Sequence, residues 1–206
     1  MLTLTFVTAS QAGIDAAAML ESVALQLRQL GTYRVSFEQA YESTTFGREI
    51  QGRGEVIVVG DGRMVWTYSD PKGRYGAYSG AIWWMVDPED QQVIVREGAE
   101  VSNGPLGRIL AGHDLSLDGF QVAFAAATAQ AQEDQVIELR PTAPRDDVEV
   151  VQVEIASGTR TLRRVSVVDP LGNKLSFRFG APRKTTIPPA QAFTLIVPNG
   201  YDVSRE

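Results

Sequence analysis

From Gly31 onward the chain alternates apolar and polar side chains in short runs, each cut off by turn residues. This pattern restricts the fold more than any other feature. Gly60-Asp61-Gly62, Pro71-Lys72-Gly73, Ser79-Gly80 and Asp87-Pro88-Glu89-Asp90 separate the early runs. The glycines among them supply the positive φ that tight hairpins need. The pattern predicts strands at Tyr33–Tyr41, Gly54–Val59, Arg63–Ser69, Tyr75–Tyr78, Ala81–Val86 and Gln91–Arg96. A later set falls at Phe120–Ala126, Val136–Arg140, Glu149–Ile155, Leu162–Asp169, Lys174–Gly180 and Ala192–Val197. The expected fold class is mainly β with a few helices (α+β), a curved antiparallel sheet of about eleven strands.

Successive side chains of a strand point to opposite faces. Val56, Val58, Met64, Trp66 and Tyr68 therefore share one face, and Glu55, Ile57, Val59, Arg63 and Thr67 the other. Phe177 and Phe179, and Val122 and Phe124, repeat the apolar set later in the chain. A sheet greasy on one face is covered by a second sheet, by closure on itself, or by helices. Only two helical segments are available. From Asp15, a candidate N-cap, to Gly31, Met19, Leu20, Val23, Leu27 and Leu30 recur at three- and four-residue spacing, about four turns of helix. Pro105–Gly112 begins with proline, ends with glycine and carries Leu106, Ile109 and Leu110. A packed β core and a half-open barrel with a helical lid over a hydrophobic cavity both fit this alternation.

Composition narrows the function. The 206 residues suit one domain, and 25 acidic against 19 basic residues give a net charge of −6. Without a basic block, that balance argues against nucleic acid or an anionic lipid surface as the main partner. The absence of cysteine excludes disulfides, a thiol nucleophile and Cys-ligated metals, and one histidine, His113, excludes a His-rich metal site. Residues 1–12, MLTLTFVTASQA, read as a signal-peptide remnant or disordered N-terminus, leaving 13–206 as a single domain. No stretch approaches the ~18 apolar residues of a spanning helix.

No catalytic constellation is legible. His113 and Asp114 are neighbours in a loop, whereas a triad converges from distant segments. Gly52-x-Gly54 leads into a strand and not into the helix of a dinucleotide fingerprint, so it reads as a close backbone approach. Asp87, Glu89 and Asp90 lack the spacing of a calcium loop and read as a solvated turn. Arg140, Arg145, Arg163, Arg164, Arg178 and Arg183 lie scattered among acids. The expectation is no enzyme, no metal and no cofactor.

Several segments, in order, resemble one family. Phe37-Glu38-Gln39, Gly52-Arg53-Gly54-Glu55 and Met64-Val65-Trp66-Thr67-Tyr68-Ser69-Asp70-Pro71 are followed by Ile82-Trp83-Trp84-Met85-Val86-Asp87-Pro88 and Gln91-Gln92-Val93. Then come the helix Gly104–Gly112, Glu138-Leu139-Arg140-Pro141, Asp169-Pro170-Leu171-Gly172-Asn173 and the ending Phe193–Val203. Over residues 15–203 the chain resembles the LolA/LolB-like periplasmic carriers of outer-membrane lipoproteins. The resemblance implies a half-open barrel with helices over a hydrophobic cavity, loaded by an inner-membrane ATP-driven lipoprotein-releasing complex and emptied by an outer-membrane lipoprotein receptor. The implied cargo is acylated lipoproteins, the implied compartment the periplasm and the implied state a monomer.

On matching positions the lipid-binding cavity would be lined by Val56, Val58, Met64, Trp66, Tyr68, Leu106, Ile109, Leu110, Phe177 and Phe179, with Trp84 added although only one of Trp83 and Trp84 can face inward. Where the family's carrier has an Arg-Pro that latches the lid, this sequence has Gly60-Asp61, which implies a different closing arrangement. The related receptor needs a lipidated cysteine; the lack of one favours the soluble carrier. A sensor or interaction module of the same fold, and a carrier of another amphiphile such as a glycolipid, are the competing readings.

Overall fold

A computed structural model describes residues 15–44, 47–97, 104–113, 119–125 and 134–205. The segment 1–12 and Asp114 lie outside the described residues. Helix α1 (Ala16–Leu30) leads into β1 (Tyr33–Ser43), β2 (Arg48–Val58), β3 (Met64–Asp70), β4 (Tyr75–Tyr78), β5 (Ile82–Asp87) and β6 (Gln92–Glu97). Helix α2 (Pro105–Leu110) follows, then β7 (Phe120–Phe124), β8 (Asp134–Pro141), β9 (Val150–Ala156), β10 (Leu162–Val168) and β11 (Lys174–Phe179). The two-residue β12 (Arg183–Lys184) and β13 (Asp202–Arg205) complete one 13-stranded sheet.

Its order is β13-β6-β5-β4-β3-β2-β1-β11-β10-β9-β8-β7, with β12 beside β1. Two runs of hairpins are thus zipped together where β1 meets β11. Every pairing is antiparallel except β13 on β6. The turn signals act as expected: at Gly62, φ is +91°, and the Val59 N–H donates to the Arg63 carbonyl at 2.8 Å to close the β2–β3 hairpin. Asp15 occupies the N-cap of α1 and its carbonyl accepts the Met19 N–H at 3.0 Å, but its side chain makes no capping bond.

The expected strand at Ala192–Val197 is corrected. Ala190–Phe193 is a 3-10 turn, and the strand comes later as β13. Pro188 and Pro189 remove two ladder donors ahead of it. Phe193 and Leu195 instead pack on Ala77, Trp84, Val86, Val93 and Val95, and with Tyr201 they cover the outer face of β3–β6. Gly200, at φ +84°, then turns the chain onto the β6 edge. The main core lies on the opposite, inner face, where α1 and α2 cover the sheet.

Candidate functional site

Nine of the expected cavity residues meet in one buried cluster on the inner face: Val56, Val58, Met64, Trp66, Tyr68, Ile109, Leu110, Phe177 and Phe179. Leu106 packs against it half-buried. Phe37, next to them, stands edge-on to Trp66, Tyr68 and Phe177 with ring centroids 5.1, 5.0 and 5.8 Å away. Phe177 stacks on Phe179 at 6.2 Å. The close approach needed to seat these rings explains Gly54, whose added Cβ would lie 2.1 Å from the Thr67 carbonyl oxygen and 3.0 Å from the Phe37 ring. The Tyr68 hydroxyl donates to Gln39 Oε1 at 2.5 Å, and burial pushes its phenol up to about 12. This end of the inner face is filled.

Trp84 does not join it. It pairs with Ala77 and Val95 on the outer face, beneath Phe193 and Leu195. Its inward neighbours are Trp83, opposite Tyr78, and Met85, opposite Gly76. Two adjacent tryptophans give alternation no means of fixing the phase; the register through Val65, Ala77 and Trp84 does so.

The open space lies at the other end, beneath α1. A cavity of about 300 Å³ is walled by Val23, Leu27 and Leu30 from α1, Tyr33 and Val35 from β1, Leu110 from α2, Leu162 from β10, and Phe179. Gln26, Gln29 and Thr161 add polar groups to an otherwise apolar lining. Of the cavity residues expected from the sequence, Leu110 and Phe179 line this cavity. Val23, Leu27 and Leu30 were visible as a helical stripe, but a stripe that packs and a stripe that roofs a cavity look alike in sequence. Leu162 carried no distinguishing signal.

The cover is fastened by polar contacts. Arg28 of α1 donates a hydrogen bond to the Gly112 carbonyl, and the Tyr33 hydroxyl donates to the Leu110 carbonyl at 2.5 Å. Gly112, φ +64°, passes so close to α1 that an added Cβ would sit 2.8 Å from the Ala24 carbonyl oxygen. Burial drives the Tyr33 phenol pKa well above its ordinary range. Asp61 takes no part in this fastening. Its carboxylate accepts from Arg63 Nε at 2.8 Å, and that bond holds it below the usual carboxylate range. Arg63 faces outward, as parity requires, with its guanidinium 4.5 Å from the Phe193 ring centroid.

His113 is exposed, as expected of a solvated loop residue. Asp87 departs from the solvated-turn reading, because its carboxylate pairs with Arg74 in a half-buried ion pair that ties the β3–β4 turn to β5.

Among the described residues, one open sheet, an apolar cavity and a cover of two helices make up this architecture. The chain belongs to the LolA family: the family model described as outer membrane lipoprotein carrier protein LolA matches residues 28–196. An outer-membrane lipoprotein carrier protein of Dechloromonas aromatica (strain RCB) is 25% identical over 180 residues, 87% of this chain and 84% of that one. Its counterpart in Xanthomonas axonopodis pv. citri (strain 306) is 27% identical over 154 residues, 73% and 70% of the two chains. An uncharacterized conserved protein of Thermus thermophilus, of known crystal structure, shares the fold. Its TM-score is 0.51 at 9% identity, covering 92% of this chain and 99% of that one. The family is one of carriers. No helix among the described residues is long and apolar enough to cross a membrane.

Proposed function

We propose that this protein carries acylated lipoproteins through the periplasm, from an ATP-driven releasing complex in the inner membrane to a receptor on the outer membrane, without chemistry of its own. The observation that carries this reading is the apolar cavity between α1 and the sheet. At about 300 Å³ it sits at the small end of ligand pockets, roughly 300–1,000 Å³, room for one acyl chain and not several. Full loading therefore raises α1 and α2 together. The chain then packs along Val56, Val58, Met64, Trp66, Tyr68, Phe177 and Phe179, with Leu106, Ile109 and Leu110 on the lid side. Gln26 and Gln29 stand where the polar linkage of the cargo would emerge.

Each buried methylene gains about 0.8 kcal/mol, and the bilayer offers the same gain. A cavity of this kind competes near equality with the membrane, so loading takes outside work and unloading takes a better acceptor. The test is to mix the protein with a triacylated lipopeptide in detergent, remove the detergent and look for a soluble one-to-one complex by native mass spectrometry. The complex is expected for the wild type and lost in Leu30→Glu, which places a charge at the cavity wall. Folded wild-type protein that forms no complex would mean the inner face is only core.

A further inference from the structure

The cavity beneath α1 is bordered by the exposed Gln26 and Gln29 of α1 and, facing them, by Thr161, Gly180 and Pro182 at the strand ends. Basic residues adjoin that border. Arg160 precedes Thr161, Arg163 follows Leu162, and Arg183 follows Pro182. Lys184 stands opposite Tyr33 of the cavity wall, and Arg183 opposite Arg34. Far apart in the sequence, these five side chains reach one end of the sheet only through the fold. All are exposed, and none has an ion pair or side-chain hydrogen bond among the described residues.

The acids near this end leave the five bases unmatched. Asp61 is engaged by Arg63. Glu55, opposite Ser36, is a diagonal step from Arg34 without pairing to it, and Asp134, opposite Ala156, lies at the margin. Glu21 is one turn before Leu25 on α1. Arg34 and Arg183, directly opposite each other, repel, and anions in front of them would relieve that. The bases do not converge on a point: Arg34 and Arg183 share the outer face, whereas Lys184 shares the inner face with Tyr33. Such a spread suits a surface of many anions better than one ion. Two bare aliphatic side chains flank the rim. Leu25, 47% exposed, is one turn from Gln29, and Ile187, 60% exposed, lies two residues past the Thr185–Thr32 hydrogen bond. Bases beside exposed aliphatics, around the entrance to an acyl-sized cavity, match a bilayer with anionic headgroups better than an acidic protein. The net charge of −6 keeps the rest of the molecule off such a surface, so this end makes the approach.

We propose that this basic rim docks the protein on an anionic lipid surface with the cavity entrance facing the bilayer. The docking rests on the rim's charge and is independent of what the cavity carries. The test sediments the full chain with vesicles of phosphatidylcholine, with and without phosphatidylglycerol, at low salt and at about 0.15 M. Binding is expected only with phosphatidylglycerol, weaker at the higher salt, and reduced at least about tenfold in the triple variant Arg160→Gln, Arg163→Gln, Lys184→Gln. Arg183→Glu is expected to shift it the same way. Circular dichroism establishes that each variant is folded. The triple variant is expected to form the soluble lipopeptide complex like wild type, so the rim and the cavity fail separately. Equal sedimentation with both kinds of vesicle, none with either, or an unaffected triple variant would overturn the proposal. So would soluble polyglutamate that binds through these residues while vesicles do not.

Discussion

At one end of the inner face Phe37 stands edge-on to Trp66, Tyr68 and Phe177, and Trp66 and Phe177 meet at a tilt, with centroids 5.0 to 5.8 Å apart. At the other, Val23 and Leu27 of α1 and Leu162 of β10 line a cavity of about 300 Å³. The chemistry of the side chains accounts for the contrast. Aromatic rings have few torsions, and offset contacts fix their mutual geometry, so that end specifies a single arrangement. Aliphatic groups bordering a void forgo dispersion contacts on one side, which makes their end the less stable and the more adaptable of the two. The cover over that end is attached to the sheet by the Tyr33 hydroxyl, and Tyr33 also lines the cavity. A chain that fills the cavity therefore pushes against the residue that holds it shut.

The contrast breaks most decisively at Trp66. Trp66→Ala is expected to lower folding stability by about 3–5 kcal/mol in urea denaturation. Stability unchanged while lipopeptide binding vanishes would make the aromatic end the open one. Alkaline titration probes both ends, through Tyr68 in the aromatic cluster and Tyr33 in the cavity wall. Burial raises the phenols of Tyr68, to about 12, and Tyr33. Both ionise near their ordinary pKa, about 10, once unfolded. Their contribution is thus complete below pH ~10 and is lost as pH rises through the folded values, roughly 2–3 kcal/mol for Tyr68. Urea midpoints flat up to about pH 12 would show that water reaches these hydroxyls.

At the aliphatic end, Leu27→Ala is expected to cost about 2 kcal/mol, the low end for a buried leucine, because one side already borders the cavity. The same substitution should admit a bulkier fluorescent fatty acid. The smallest effect belongs to Tyr33→Phe. It removes one hydrogen bond, about 1 kcal/mol, and is expected to speed uptake of that fatty acid in stopped-flow fluorescence. Unaltered uptake would show that Arg28 alone fastens the cover.

Much of this was legible in the sequence. Turn glycines and prolines marked the early hairpins, and alternation gathered Val56, Val58, Met64, Trp66 and Tyr68 on the correct face. Alternation failed where it had no contrast to use, at Trp83-Trp84, and where Phe193 and Leu195 kept an apolar spacing while lying on the sheet without joining it. The cavity was illegible for another reason. Its existence depends on how far α1 stands from β10, a distance that no local pattern encodes. Arg164 and Arg178 became neighbours only through the register of β10 and β11.

The parallel seating of β13 on β6 joins Asp202 to Gln92 and Arg205 to Val95. Contacts so remote along the chain form late, after the loop between them has closed. A chain made or threaded from its N-terminus would pass through a stage in which β6 is a bare sheet edge beside exposed Trp84, Val86 and Val93. Residues 193–205 thus act as a closing stitch: until they are in place, an unpaired strand edge and an apolar face stay open to other chains.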